Sequence, residues 1–416
     1  MAQHSRILLR TSHLSIMPVQ SRDLRLDFFR GLALLTIFVN HIPYNPLGEV
    51  TPRNFGFSDA TEVFIFLSGF AAAMTYGRVI ERDGYTMAAR RIAKRVWQLY
   101  VAHIFMMVVF SALVILAVNM TGNGTYLKDM FVGALISDPM HALPYAPILG
   151  FQPAFMNILP MYIVILALFV PMIALLRFSR IAFITLSLGV YALVSINKIN
   201  LPVYHGVWYF NPLAWQALFM LGALFGYRPA NAAQWIPQGR IPLIAAVSYL
   251  TFSLIIVLSW RSPALAALIP QGLKDVIYPL TKTNLSIWRL THFLATAYVA
   301  LRFVPAGAAW LKDRAVDPIL ACGRHALEIF CFGILLSFAG RLVMLEISKD
   351  FWATVLVNGA GLAAMFALAY LLDWYKVAKP AASPATAIPA RAAVAPALAP
   401  RGLRLPAAPV EPAPQT

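Results

Sequence analysis

Residues 96–118 read VWQLYVAHIFMMVVFSALVILAV, and this stretch contains no Lys, Arg, Asp or Glu. As a helix it would be about 34 Å long, enough to cross the roughly 30 Å hydrocarbon core of a bilayer. Apolar runs of similar length recur near 26–43, 58–77, 157–176, 180–197, 211–227, 241–260, 287–304, 317–341 and 352–374. The sequence therefore predicts an all-α, polytopic integral membrane bundle of about ten transmembrane helices.

The composition also indicates a chain that is embedded in a membrane. Of the 416 residues, 60% are hydrophobic and only 12% are charged, and the mean hydropathy is +0.70. A soluble domain carries roughly 25% charged residues, so no soluble fold could bury this excess of apolar surface. The net charge of +16 could suggest nucleic-acid binding. Here the Lys and Arg residues lie in short segments between apolar runs, which is the pattern of a membrane protein instead.

The loops between the predicted spans differ in their content of Lys and Arg. Every second loop is basic, whereas the loops at 44–57, 120–156 and 198–210 are poor in cations. This alternation predicts that both termini lie in the cytoplasm. The loop at 261–286 should face outward but has three cations, so it fits least well. The outward loop at 120–156 has the length of a lid, a binding element or a disordered segment.

The chain is predicted to have three parts. A polar, basic N-terminal segment at 1–21 should lie in the cytoplasm, and the transmembrane domain should cover 22–376. An Ala/Pro-rich tail at 377–416 should be a disordered cytoplasmic extension. Cys322 and Cys331 would lie about 13.5 Å apart on one helix, which is too far for a disulfide. They do not form a metal site either, and no metal is predicted.

The first predicted span contains three ionisable residues, Asp27, Arg30 and His41. Such residues are costly to insert into a membrane and are a default sign of function. Arg30 and His41 are eleven residues apart, or about three helical turns, so they share one helix face roughly 16 Å apart. Asp27 lies one turn before Arg30 and can pair with it. Singly, Arg30 could snorkel and His41 could be interfacial, but the shared face favours a functional pair.

The second predicted span begins with the sequence SDATE at 58–62. Its two carboxylates, Asp59 and Glu62, are one turn apart and lie at the depth predicted for His41. One interpretation is helix capping by Asp59, with Glu62 stabilised by the helix dipole. The other is that Glu62 or Asp59 hydrogen-bonds His41 and orients it as a catalytic base. The sequence leaves both interpretations open.

A basic cluster at 90–95 precedes the third span on the predicted cytoplasmic side. Arg91 and Arg95 could bind the phosphates of an anionic cytoplasmic donor, because guanidinium groups bind phosphate in a bidentate manner. Anchoring to anionic lipid is the alternative. The other ionisable candidates in later spans are His292, Arg324, His325 and Glu328. His325 and Glu328 could also simply satisfy each other.

Several stretches of this chain resemble the OpgC branch of the type-three membrane acyltransferases. They are the run at 58–69, NILPMY at 157–162, NPLAWQ at 211–216 and CGRHALE at 322–328. RDLRLDFFRG at 22–31, taken with His41, resembles the Arg–His signature of the superfamily. The start of the third span is also similar, although Gln98 and Leu99 stand where the superfamily often has Pro. The resemblance covers about residues 22–375.

This resemblance implies an O-acyltransferase in the bacterial inner membrane. The expected reaction moves an acyl group, in this branch succinyl, from a cytoplasmic acyl-CoA to a periplasmic glucan or other envelope glycan. Acyl-CoA would be a co-substrate, and no cofactor is expected. His41 would act as the base, while Arg30, Arg91 and Arg95 would hold the phosphates of the donor. The expected partners are the donor, the glycan acceptor and the lipid bilayer, with no nucleic acid.

The rival interpretation is a transporter or flippase for an envelope glycan or an anionic metabolite. A proton-coupled carrier needs buried carboxylates near the middle of the membrane. Asp27, Asp59 and Glu62 lie toward the ends of their spans, and Glu328 is the exception. A non-catalytic envelope scaffold is a third possibility, but it does not explain why the first span has Arg and His on one face.

Overall fold

The structure is a computed structural model that describes residues 23–204, 206–228 and 233–378. These residues are mostly helical. The principal helices are α1 (Leu24–His41), α2 (Ala60–Asp83), α3 (Tyr85–Thr121), α4 (Ile158–Phe178), α5 (Arg180–Asn197), α6 (Pro212–Gly226), α7 (Arg240–Ser259), α8 (Ile287–Phe303), α9 (Asp317–Arg324), α10 (Ala326–Leu342) and α11 (Phe351–Ala378).

Short elements connect the principal helices. Single helical turns or short α-helices span Pro46–Glu49, Thr125–Asp129, Ala134–Ser137, Pro139–Ala142, Pro263–Leu268 and Gln271–Ile277. Turns of 3-10 helix span Pro52–Asn54, Leu143–Tyr145, Ala233–Trp235 and Ala309–Lys312, and a π-helical turn spans Val343–Ile347. Strands β1 (Pro202–Val203) and β2 (Gly206–Val207) form a small antiparallel hairpin.

The positions of the predicted spans agree with the helices. Each of the ten predicted spans contains a helix, although the ninth is broken at His325 into α9 and α10. In the described part of the chain, seven helices are long and apolar enough to cross a membrane: α2, α3, α4, α5, α7, α11, and α10 with the turn after it. Helix α6 is apolar but only 15 residues long. The helical membrane bundle is thus supported, while the count of ten stays a prediction.

Helices α2 and α6 pack with their backbones in direct contact. A Cβ atom at Gly69 would lie 1.9 Å from the carbonyl oxygen of Phe219, and one at Gly222 would lie 2.1 Å from the carbonyl oxygen of Phe66. Any larger residue would force the two helices apart. Small residues allow such close approach between membrane helices, where van der Waals packing drives association.

Helix α1 is surrounded by other helices. It packs against α2, α9 and α10, and its side chains Leu34 and Phe38 are almost completely buried. Its polar residues therefore face protein and internal cavities, which is where costly groups in a membrane are tolerated. Arg30 and His41, the two residues of the face predicted from the sequence, are both partly buried.

The long outward loop predicted at 120–156 is ordered. It folds into the short helices between Thr125 and Tyr145, and Tyr126 within it is 1% exposed. The Tyr204 amide next to the small hairpin donates to the carbonyl of Gly150, at 2.9 Å. Of the possibilities left open by the sequence, a folded element is what the structure shows.

Two predicted parts fall mostly outside the described residues. The N-terminal segment at 1–21 and the tail beyond Ala378 are not among them. Helix α11 ends at Ala378, so the described chain covers the predicted transmembrane domain at 22–376 except for residues 22, 205 and 229–232.

Candidate functional site

A cavity of about 240 Å³, the inner cavity, lies among α1, α2, α3, α4 and α10. Two cationic side chains line it, Arg30 from α1 and Arg95 from α3. The polar lining is completed by Ser68, Thr75, Tyr76 and Tyr162, and the other walls are apolar. Charges beside apolar walls act more strongly than charges in water, so this cavity is suited to an anionic or partly anionic ligand.

The structure brings Arg30 and Arg95 together as predicted. Arg30 Nη2 donates to the carbonyl oxygen of Leu67 at 3.2 Å, which anchors the guanidinium against α2. Arg95 Nη1 lies 3.5 Å from the side-chain oxygen of Gln98, which is a long and weak contact. The volume suits a phosphate group or part of a flexible chain, since whole drug-sized ligands occupy roughly 300–1,000 Å³.

Arg91 does not join this cavity, although the sequence placed it with the other donor-binding residues. Its side chain is exposed, and its Nη2 lies 3.3 Å from Asp83 at the end of α2. One helical turn separates Arg91 from Arg95, and α3 is at the protein surface on the Arg91 side. The structure therefore separates the basic cluster into one cavity residue and exposed surface residues.

A second cavity, the outer cavity, has a volume of about 570 Å³ and lies at the opposite end of α1. His41 lines it, and the ring of Phe155 packs on the imidazole with 4.4 Å between the ring centroids. Arg53 and Arg341 line the same cavity. The rise along α1 from Arg30 to His41 is about 16 Å. One helix thus has a cation at one cavity and an imidazole at the other.

The two carboxylates predicted to orient His41 bind cations instead. Glu62 is completely buried, and its carboxylate lies 2.8 Å from Arg289 Nε and 2.6 Å from Nη2. Asp59 pairs with Lys282 and, at 3.4 Å, with Arg289. Within the described residues neither carboxylate hydrogen-bonds His41, which differs from the prediction. A guanidinium is always charged and has five donors, so it binds a buried carboxylate more strongly than imidazole does.

Asp59 and Glu62 also begin helix α2. The Asp59 side chain accepts a hydrogen bond from the Thr61 amide, and the Glu62 side chain accepts one from the Asp59 amide, both at 2.9 Å. The Asp59 side chain also accepts from the Glu62 amide, and together with the bond from the Asp59 amide to Glu62 this forms a capping box. The capping interpretation is thus confirmed. A catalytic role for either carboxylate stays a prediction, although Asp59 and Lys282 both act electrostatically on His41.

The loop that carries Lys282 is held in place by hydrogen bonds from residues of α5 and α6. The Trp215 indole donates to the Lys282 carbonyl at 2.8 Å, and the Asn211 amide donates to the Thr283 carbonyl at 3.0 Å. The Tyr191 hydroxyl donates to the Leu285 carbonyl at 2.7 Å. The NPLAWQ sequence at 211–216 therefore has a structural purpose, because it fixes the position of the loop over the outer end of α2.

His292, a further candidate from the sequence, packs against the segment before α2. The Ser58 hydroxyl and the imidazole Nδ1 are 2.7 Å apart, and the Ser58 amide donates to the same nitrogen at 3.2 Å. A Cβ atom at Gly56 would lie 2.1 Å from His292 Nε2, so the chain passes directly over the ring. This geometry gives His292 a part in holding the start of α2.

The remaining candidates lie at the opposite end of the molecule, around the break at His325. Asp373 binds Arg324 Nη2 at 2.6 Å and His325 Nε2 at 2.8 Å. Asp27 is buried where α1 packs against α9, and it acts electrostatically on Arg324. Glu328 is exposed on the first turn of α10. The sequence treated Glu328 as the carboxylate nearest the middle of the membrane, and the structure instead places it at a helix end.

Several residues at the site were not predicted as functional. They are Ser68 and Tyr162 at the inner cavity, Arg53, Phe155 and Arg341 at the outer cavity, and Lys282 and Arg289 in the charge cluster. One signal was available in the sequence. The loop at 261–286 had too many cations for an outward loop, and the structure pairs Arg261 with Glu49 and Lys282 with Asp59.

Taken together, the fold and the two cavities define a class: a polytopic membrane protein with a basic cavity and a histidine cavity joined by one helix. A family model described as OpgC protein matches residues 22–377, and the chain belongs to the OpgC family. This family implies a membrane acyltransferase for glucans. No curated protein and no solved structure matches significantly. Among the described residues, no group of three or more His, Cys, Asp or Glu side chains could hold a metal ion.

Proposed function

We propose that this protein moves a succinyl group from a cytoplasmic acyl-CoA to a hydroxyl group of a periplasmic glucan or other envelope glycan. The observation that carries the proposal is that α1 places Arg30 in the inner cavity and His41 in the outer cavity. The anionic phosphates of the donor need a cavity with cations. The neutral acceptor needs a cavity with a base. Their separation of about 16 Å lets a long flexible donor reach from one to the other.

The chemistry follows from the two cavities. Arg30 and Arg95 bind donor phosphates by charge-assisted hydrogen bonds. The imidazole of His41 takes the proton of the acceptor hydroxyl, whose oxygen attacks the carbonyl carbon of the thioester. The carbon–sulfur bond then breaks, and the departing thiolate of coenzyme A takes the proton from the imidazolium. A positioned base of this kind contributes roughly 10²–10⁴-fold to the rate.

The outer cavity also supports the choice of succinyl. Succinyl thioesters carry a free carboxylate at the end of the acyl chain. Arg53 and Arg341 both line the cavity beside His41, and Arg341 is itself held by Asp129 at 2.6 Å. A carboxylate on the acyl group would find cations there, whereas an acetyl group would not use them.

The proposed location is the bacterial inner membrane, with both termini in the cytoplasm. The alternation of basic and cation-poor loops supports this orientation. It places the inner cavity toward the cytoplasm, where acyl-CoA is made, and the outer cavity toward the periplasm. Acyl-CoA, the glycan and the lipid bilayer are the proposed partners, and acyl-CoA is proposed as co-substrate without any further cofactor.

The decisive experiment compares periplasmic and cell-surface glycans by mass spectrometry. Cells that express the intact protein should show succinylated glucan, and cells that express His41→Ala at equal membrane abundance should not. His141→Ala is a matched control, because His141 is an exposed histidine of the outer loop. Succinylated glucan at the normal level in His41→Ala cells would refute the assignment of His41. An unchanged glycan profile on loss of the whole gene would refute the proposed function.

A further inference from the structure

His103 is completely buried within α3, and it has no part in the proposed reaction at the two cavities. Its exposed fraction is 0%, and neither Nδ1 nor Nε2 has a hydrogen-bond partner among the described residues. A neutral imidazole has one N–H donor and one acceptor nitrogen. Burying both without partners costs free energy, and native proteins rarely leave such groups unpaired. A partner that arrives with a ligand would explain why this site has a histidine.

The position of His103 relates it to the inner cavity. Leu99 lines that cavity and lies one helical turn before His103. At 100° per residue, Arg95, Leu99, His103 and Phe110 fall within about 80° of one face of α3. His103 is about 12 Å beyond Arg95 along the helix axis. The imidazole therefore lies above the inner cavity, on the side toward the outer cavity.

The same face of α3 leads on to His41 through two aromatic rings. The ring centroids of Phe110 and Phe155 are 6.5 Å apart, and those of Phe155 and His41 are 4.4 Å apart. A line along α3 thus begins at a cation of the inner cavity, passes an unpaired imidazole and ends at the histidine of the outer cavity. A donor that binds at Arg95 and reacts at His41 has to span the length of α3 that contains His103.

We propose that His103 hydrogen-bonds the amide groups in the thiol-bearing arm of coenzyme A where the arm passes from the inner cavity toward His41. This inference rests on the proposed function, because it takes acyl-CoA as the donor. The arm of coenzyme A has two amide groups, each with a donor and an acceptor. An amide in an apolar passage needs a partner, and a neutral imidazole can donate to or accept from it. No covalent bond forms or breaks at His103.

The test uses the purified full chain in lipid nanodiscs, with coenzyme A as the probe. His103→Leu should raise the melting temperature of the ligand-free protein, because it removes an unpaired polar group from an apolar site. The same substitution should weaken coenzyme A binding about tenfold, since an amide of the arm is left unpaired. His103→Gln, which keeps a donor and an acceptor, should restore most of the affinity.

A second probe separates the arm from the phosphates. The phosphorylated nucleotide of coenzyme A, without its arm, should bind wild type and His103→Leu equally well. Arg95→Ala should weaken the binding of both probes, because it removes a contact to phosphate. This pattern assigns the loss in His103→Leu to the arm alone.

The outcomes distinguish failure of this inference from failure of the proposed function. Equal coenzyme A affinity in wild type and His103→Leu would overturn the contact at His103. A lower melting temperature of ligand-free His103→Leu would also overturn it, because it would give the imidazole a structural partner. If coenzyme A does not bind wild type at all, the proposed donor is wrong, and the inference about His103 falls with it.

Discussion

Replacing Glu62 by Gln should destabilise the folded protein much more than it slows each folded molecule. The structure gives the carboxylate a partner, Arg289, at 2.6 and 2.8 Å, and Glu62 itself is 0% exposed. Gln keeps an oxygen that can accept from the Asp59 amide, so the capping box is preserved. The substitution therefore removes the negative charge and little else.

The size of the stability loss follows from the charge of Arg289, which stays buried after the substitution. Removing one partner of a buried ion pair costs about 3–5 kcal/mol, because the other charge remains buried without compensation. Arg289 keeps a contact to Asp59 at 3.4 Å. The expected loss is therefore near the lower end of the range, about 3 kcal/mol. The double variant Glu62→Gln with Arg289→Gln should be more stable than the sum of the single losses implies.

Thermal unfolding in detergent, followed by the fraction of protein that remains monodisperse, measures this effect. The matched control is Glu81→Gln on the same helix. Glu81 pairs with Arg228 at 3.0 Å, but both side chains are about half exposed, so the control should change the melting temperature little. Transfer activity is measured per folded molecule for each variant.

Normal stability of Glu62→Gln together with a large loss of rate per folded molecule would refute this reasoning. It would show that Glu62 acts on the reaction, which is the second interpretation of the sequence. It would also show that buried Arg289 does not need the negative charge of Glu62. A stability loss with near-normal turnover confirms the structural role.

Three further predictions concern the donor, the charge cluster and the orientation. Arg95→Ala should raise the KM for the donor about 10- to 100-fold. Arg91→Ala should leave the KM nearly unchanged, because of these two residues only Arg95 lines the inner cavity. Equal effects of the two substitutions would contradict the cavity assignment. Lys282→Met should lower the melting temperature less than Arg289→Met, since Lys282 is 29% exposed and Arg289 9%; the reverse order would count against the burial argument. Cysteines introduced at Asp138 should react with an impermeant thiol reagent from the periplasmic side and those at Arg82 should not, and labelling of both from one side would contradict the topology.

The Arg–His pair of α1 could be predicted because it depends only on local geometry. Helical periodicity puts residues eleven apart on one face whatever the rest of the fold does. The structure places Arg30 and His41 at two cavities on that helix. Arg95 was predicted from the basic cluster at 90–95, and the structure places its side chain at the inner cavity.

The partners of the outer carboxylates could not be predicted in this way. Glu62 and Arg289 are 227 residues apart, and no periodicity relates them. His41 and Arg289 are both basic groups, so the choice of partner depends on how α8 packs against α2. Glu328 was misplaced for a related reason. The break at His325 starts a new helix, so Glu328 lies in the first turn of the candidate span Ala326–Ile347 rather than near its middle.

The close contact between Gly69 and Phe219 fixes the position of α2 relative to α6. It thereby also fixes the geometry at the outer end of the two helices. Helix α2 carries Asp59, and α6 holds Lys282 through the Trp215 indole, so the two partners of this ion pair are each tied to one of the two helices in contact. A slip of one helical turn between these helices would move the partners about 5.4 Å relative to each other. Gly69 is about 15 Å from Asp59 along the helix axis. A methyl group added at Gly69 would therefore displace the two partners of the ion pair beside His41 without contacting either of them.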